Sequence, residues 1–89
     1  MNVEIHGNES VTDGMREAVE SNLSRLADKF EFSSPSVHFE VNGHSTSVNV
    51  GCKSPQGDVV VKMTKPDFYQ AIRSASKSLG ENLSKNKPH

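Results

Sequence analysis

Val3 and Ile5 alternate with Asn2, Glu4 and His6, the period of a half-buried strand, and Gly7-Asn8 supplies turn chemistry after it. Further along, Val11, Met15, Val19, Leu23, Leu26 and Phe30 recur at spacings of three and four, with Ala18 beside them. That spacing predicts a helix from Thr12 to Phe30 with one apolar stripe. Thr12 is its natural N-cap, and Asp13 suits the positive end of the helix dipole. Ser33-Ser34-Pro35-Ser36 then reads as a break, because proline cannot continue a helix and biases the preceding residue toward extended geometry.

Val37, Phe39 and Val41 alternate with His38 and Glu40, and Asn42-Gly43 follows at once, a strong signal for a two-residue hairpin turn. With Val41 facing His44 across it, Phe39 faces Thr46 and Val37 faces Val48. Val48, Val50 and Cys52 then share a face with Val37, Phe39 and Val41. Ser54-Pro55-Gln56-Gly57 offers a second turn, which sets Lys53 against Asp58, Cys52 against Val59, Val50 against Val61 and Val48 against Met63. A three-stranded meander from Ser36 to Thr64 follows.

Thr64-Lys65-Pro66-Asp67 has the composition of a helix start: a threonine cap, an early proline and an acid near the first amides. Phe68, Ile72, Ala75, Leu79 and Leu83 form the stripe of a second helix, which the sequence ends at Lys85-Asn86-Lys87-Pro88. The order is β-α-β-β-β-α. All apolar strand residues share one face and each helix has one apolar stripe, so an α+β fold is expected: a four-stranded mixed sheet with two helices packed on one face. A right-handed crossover makes the first two strands parallel. The other sheet face carries Glu4, His6, His38, Glu40, Asn49, Val60 and Lys62, open to solvent or to a partner.

Eighty-nine residues suffice for a single domain, residues 1–89, and not for two. The net charge of −1 counts against a plain polyanion binder, yet its distribution is uneven. Residues 1–52 hold three cations and eight acids, a net of −5, whereas residues 53–89 hold seven cations and three acids, a net of +4. No apolar run approaches the roughly 18–20 residues that span a bilayer, and the N-terminus lacks the basic-then-apolar layout of a secretory signal. The chain therefore reads as cytoplasmic, with no membrane partner. A lone cysteine, Cys52, cannot close an internal disulfide and reads as a small buried hydrophobe.

His6, His38 and His44 raise the question of a metal, since His6 and His38 can neighbour one another on parallel strands with Glu40 nearby. The spacing is unspecific, and solvated strand-face histidines are the simpler reading. No glycine-rich phosphate loop or G-x-S-x-G elbow is present, and with thirteen serines a Ser, His and Asp trio is cheap to find. The sequence therefore implies neither an enzyme, nor a cofactor, nor a small-molecule substrate. On the first helix, about 100° per residue sends Glu17, Ser24 and Asp28 to solvent, with Arg25 and Lys29 on one flank of the stripe and Arg16 on the other. On the second, Arg73 and Lys77 lie four apart on the outer face, and Lys85 and Lys87 crowd the last turn. Such edges could offer phosphates a discontinuous basic track. The plainer alternative is an ordinary solvated helix surface.

These residues resemble the ribosome hibernation promoting factors, also called ribosome-associated inhibitors or sigma-54 modulation proteins. Met1-Asn2-Val3-Glu4-Ile5-His6-Gly7 is similar to that family's opening strand and glycine. Thr12-Asp13, Met15-Arg16-Glu17, Leu23, Leu26 and Lys29-Phe30 resemble its first helix. Most specific is Asp67-Phe68-Tyr69-Gln70-Ala71-Ile72, close to the family's Asp-Met-Tyr-x-Ala-Ile signature, with Leu79, Leu83, Lys85 and Lys87 following at its spacing.

The resemblance implies a ribosome-associated translation inhibitor that binds the 30S subunit in the channel used by mRNA and tRNA anticodon stems and promotes hibernation. Basic side chains along both helices would contact 16S rRNA backbone: Arg16, Arg25, Lys29, Lys85 and Lys87 fall on the family's basic positions, and Arg73 and Lys77, which stand where the family more often has acids, add cations of this chain's own. Chain length matches the family's short type, which acts with ribosome modulation factor in forming ribosome dimers, whereas a related inhibitor keeps ribosomes single; the sequence fits either behaviour. Asn22, Ser78, Glu81 and Ser84, however, stand where the family usually has Lys or Arg. That shortfall motivates the alternative of a divergent member that binds a protein partner rather than rRNA. A third reading, an RNA-binding module outside the ribosome, rests on fold analogy with double-stranded RNA-binding domains.

Overall fold

The chain runs β1 (Glu4–Gly7), α1 (Asp13–Ala27), β2 (Ser33–Asn42), β3 (Ser45–Ser54), β4 (Gly57–Lys65) and α2 (Phe68–Lys85) in a computed structural model that describes residues 2–55 and 57–85. The sheet order is β1-β2-β3-β4, with β1 parallel to β2 and the other pairs antiparallel. Val37, Phe39, Val48, Val50, Val59 and Val61 are buried on one face, where they meet the helices. Val19 and Leu23 are the buried residues of α1, whereas α2 buries seven from Phe68 to Leu83, so α2 is the more deeply embedded helix. Glu4, His6, His38, Glu40, Asn49, Val60 and Lys62 are exposed on the opposite face, as the alternation requires.

The β3–β4 register agrees with expectation pair by pair, Lys53 opposite Asp58 and Val48 opposite Met63. The β2–β3 register does not. Val41 faces Thr46, Phe39 faces Val48 and Asn42 faces Ser45, two residues along from the expected pairing. The two-residue loop is therefore Gly43-His44 rather than Asn42-Gly43. Gly43 has φ +54° and His44 is not in the left-handed region, a pattern that fits a type II′ turn with glycine first. A slip of two residues preserves which side chains face the core, so the apolar pattern cannot distinguish the registers and the turn decides.

Ser33-Ser34-Pro35-Ser36 does not separate elements; it opens β2 through a bulge between Ser33 and Ser36, with Ser34 at φ +51°. Proline is tolerated there because β1 pairs with β2 only from Ser36 onward, leaving the missing N–H without a ladder to break. Thr12 caps α1 as expected, its Oγ1 accepting from the Met15 amide at 3.1 Å. The helix ends at Ala27, three residues short of Phe30. Phe30 still folds back, its amide donating to the Leu26 carbonyl at 2.8 Å.

Gly7 does not serve the turn that its place before Asn8 suggests; it is the last residue of β1, opposite Phe39, and its φ is not positive. Its role is spatial. A Cβ there would fall 2.3 Å from the Phe39 ring, which occupies the core position of the absent side chain and meets Phe68 edge-on at 5.3 Å. Asn8 then extends the parallel ladder with its side chain: Oδ1 accepts from the Val41 amide at 2.8 Å and Nδ2 donates to the Val41 carbonyl at 3.0 Å.

Thr64 belongs to β4 and shares a hydrogen bond with Ser47 Oγ at 2.9 Å, so it does not cap α2. Asp67 does. Its Oδ1 accepts from the Gln70 amide at 2.9 Å and its Oδ2 from Gln70 Nε2 at 2.7 Å. The Gln70 amide bond, followed by the Gln70 side-chain bond, holds the Asp67 carboxyl below its ordinary 3.8. A depressed folded-state pKa contributes stability above the ordinary value that is lost as pH falls through the folded one. Asp67→Ala is therefore expected to lower stability at neutral pH, and the gap to the parent should shrink below pH 3.8, as urea titrations at several pH values would show. The expected stop at Asn86 to Pro88 lies outside the described residues.

Ser76 sits on the buried face of α2, and its Oγ has no hydrogen-bond partner among the described residues. A buried hydroxyl without a partner costs desolvation energy, and alanine is the better helix former. Ser76→Ala should accordingly stabilise the fold by about 1 kcal/mol in denaturant titration.

Candidate nucleic-acid interface

The last turn of α1, the residues just after it and the C-terminal half of α2 border an open groove of about 500 Å³. Leu26, Phe30 and Gly80 form its apolar part, and Lys29, Lys77, Glu81, Ser84 and Lys85 its polar one. The groove exists because Gly80 lets the helices approach: a Cβ there would lie 2.9 Å from Leu26 Cδ2 and 3.8 Å from Phe30 Cε2. A glycine in a helix interior costs about 1 kcal/mol relative to alanine, and the close approach is what accounts for it here. Nothing in the sequence says which residue of α1 this glycine meets.

Lys77, Glu81 and Lys85 follow one another at i, i+4 along α2, so Glu81 partly offsets two of the three lysines. Three cations against one carboxylate leave the groove net positive. Arg16 is not part of it. It lines a separate hollow of about 630 Å³ with Glu4, Glu20, Ser34 and Pro35, where two carboxylates disfavour a phosphate. Arg25 is exposed on α1. Arg73 is exposed on α2, and its charge adds to the depression of the Asp67 pKa. Lys87 lies outside the described residues.

Two of the positions where the resemblance implies cations are half-buried. Asn22 is half-buried and donates through Nδ2 to the Ala18 carbonyl at 2.7 Å. Ser78 is half-buried, and its carbonyl accepts from Asn82 Nδ2 at 2.9 Å. Glu81 and Ser84, by contrast, stand in the groove itself.

On the open sheet face, His6 and His38 are register partners with ring centroids 5.4 Å apart. They share a hollow of about 520 Å³ with Glu40, Asn49 and Lys62. Among the described residues no three His, Cys, Asp or Glu side chains are grouped to hold a metal ion. Cys52 is buried; burial first, and the Asp58 charge second, push its thiol up from 9.0, which keeps it protonated at neutral pH. Among the described residues no helix is long and apolar enough to cross a membrane.

A four-stranded mixed sheet carrying two helices on one face, with a net-positive groove beside the helix ends, defines a small α+β domain. The sequence model of the family described as Sigma 54 modulation protein / S30EA ribosomal protein matches residues 3–88, and the chain belongs to that family. It is a ribosome-associated family and not one of enzymes. The Protein Y N-terminal domain of Thermus thermophilus is similar at a TM-score of 0.88 and 27% identity, over 98% of this chain and 100% of that one. A ribosomal subunit interface protein from Coxiella burnetii shares the fold at a TM-score of 0.85 and 24% identity, over 96% of each chain. No curated protein matches the sequence significantly.

Proposed function

We propose that the domain of residues 1–89 is a cytoplasmic, ribosome-associated translation inhibitor that binds 16S rRNA in the mRNA and tRNA channel of the 30S subunit and so promotes hibernation. The observation that carries this reading is the groove in which α2 and the turn after α1 bring Lys29, Lys77 and Lys85 together, in a member of a ribosome-associated family. Lysines presented by α2 and by the turn that ends α1 suit a phosphate backbone, which is recognised by position and charge rather than by sequence. Arg25 and Arg73 would extend the contact along the exposed helix surfaces, and Lys87 would do so beyond Lys85. Arg16, facing Glu4 and Glu20, contributes least.

Ribosome modulation factor is the partner expected where such a protein acts in ribosome dimers. The proposal is tested by displacement: added protein should release labelled mRNA and tRNA from 30S subunits and arrest translation in a reconstituted system. Translation that continues unimpaired with the protein in excess would overturn it.

Glu81 and Ser84 within the groove favour a second reading, a protein partner on the same surface. Complex formation that is insensitive to salt and independent of RNA would support that reading over the first.

A further inference from the structure

We propose that the free edge of β4 is a self-association site, on which a second copy of this chain pairs antiparallel about a two-fold axis through Val60. β4 is the last strand in the sheet order and, at nine residues, offers far more unpaired edge than the four residues of β1. Its ladder with β3 runs from Gly57 to Lys65 without a register shift, and no proline interrupts that span. Such an edge is a template for another strand unless something blunts it. Val60, at its centre, is 69% exposed, the most exposed large hydrophobic side chain among the described residues.

The occupant follows from the arrangement of charge. Two antiparallel copies place side chains of the same face opposite one another, so paired positions must differ by an even number. Centred on Val60, each Val60 covers its twin, and Asp58 faces the partner's Lys62 while Lys62 faces the partner's Asp58. On the core face Val59 then meets the partner's Val61. Each of these central pairs is matched. Centring on Val61 sets Lys62 against a valine and Asp58 against Thr64, and centring on Lys62 puts like charges together. Only the first register satisfies both the exposed valine and the two charges, and a two-fold operator makes each contact twice.

One strand pair makes a small interface, so the dimer is expected to be weak. Sedimentation equilibrium of the full chain from about 10 µM to 1 mM would cover that range. Wild type should shift from monomer toward dimer across it. Asp58→Lys and Lys62→Asp, both at exposed positions, should each weaken association at least about tenfold while circular dichroism confirms the fold. Lys53 stands opposite Asp58 within the chain, so part of the first reversal acts internally. Mixing the two variants separates the effects, because a heterodimer of one of each restores both opposite-charge pairs and should regain wild-type association. A wild type that stays monomeric throughout, or folded variants that fail to associate when mixed, would overturn the proposal.

Discussion

Replacing Gly7 with alanine is expected to cost about 2–3 kcal/mol of folding stability, since inserting a methyl into a filled site forces side chains off their preferred geometry. In a domain of this size that lowers the melting temperature by roughly 10–20 °C. The added Cβ would stand 2.3 Å from the ring of Phe39, and that ring cannot yield cheaply because it is buried and held edge-on against Phe68. The two positions should be coupled. In a Phe39→Leu background the same Gly7→Ala change should cost at least about 1 kcal/mol less than in the parent. Equal cost in both backgrounds, or an alanine tolerated outright, would contradict the assignment of Gly7 to making room for the ring.

Neutralising Lys29, Lys77 and Lys85 together to glutamine is expected to flatten the salt dependence of 30S binding by about 2–3 log units per log unit of salt, close to one released counterion per lost phosphate contact. Near 0.15 M salt this corresponds to an affinity loss on the order of 100-fold. All three side chains are exposed, so the fold should survive. Arg16→Gln should change the slope far less, because Glu4 and Glu20 already share its hollow. Glu81→Gln should act with the opposite sign and tighten binding, since it removes the carboxylate between Lys77 and Lys85. Unchanged affinity in the triple variant would move the contact away from the groove.

The order of elements and the core were legible because period-2 and period-3.6 patterns name the buried face of each strand and helix. Val19, Leu23, Ile72 and Leu79 are all buried as the spacing required. Three errors share one cause, that several local choices satisfied the same pattern. The first hairpin slipped by two residues with no change of face, Asp67 serves as the cap where a threonine fits the same composition, and Pro35 suits a bulge as well as a break. For the site, residue types were legible and their grouping was not. Lys29 joins Lys77 and Lys85 through the approach of two helices some fifty residues apart in sequence, while Arg16, on the same helix as Arg25, faces a different hollow. Gly7 and Gly80 are small because of long-range neighbours that no local pattern names.

Cosedimentation with purified 30S and 50S subunits over a salt series, about 50 to 200 mM, tests the central claim most directly. The protein should be recovered with the 30S fraction at low salt and decline log-linearly as salt rises. Folded protein that stays out of the 30S fraction at both low and moderate salt would contradict it.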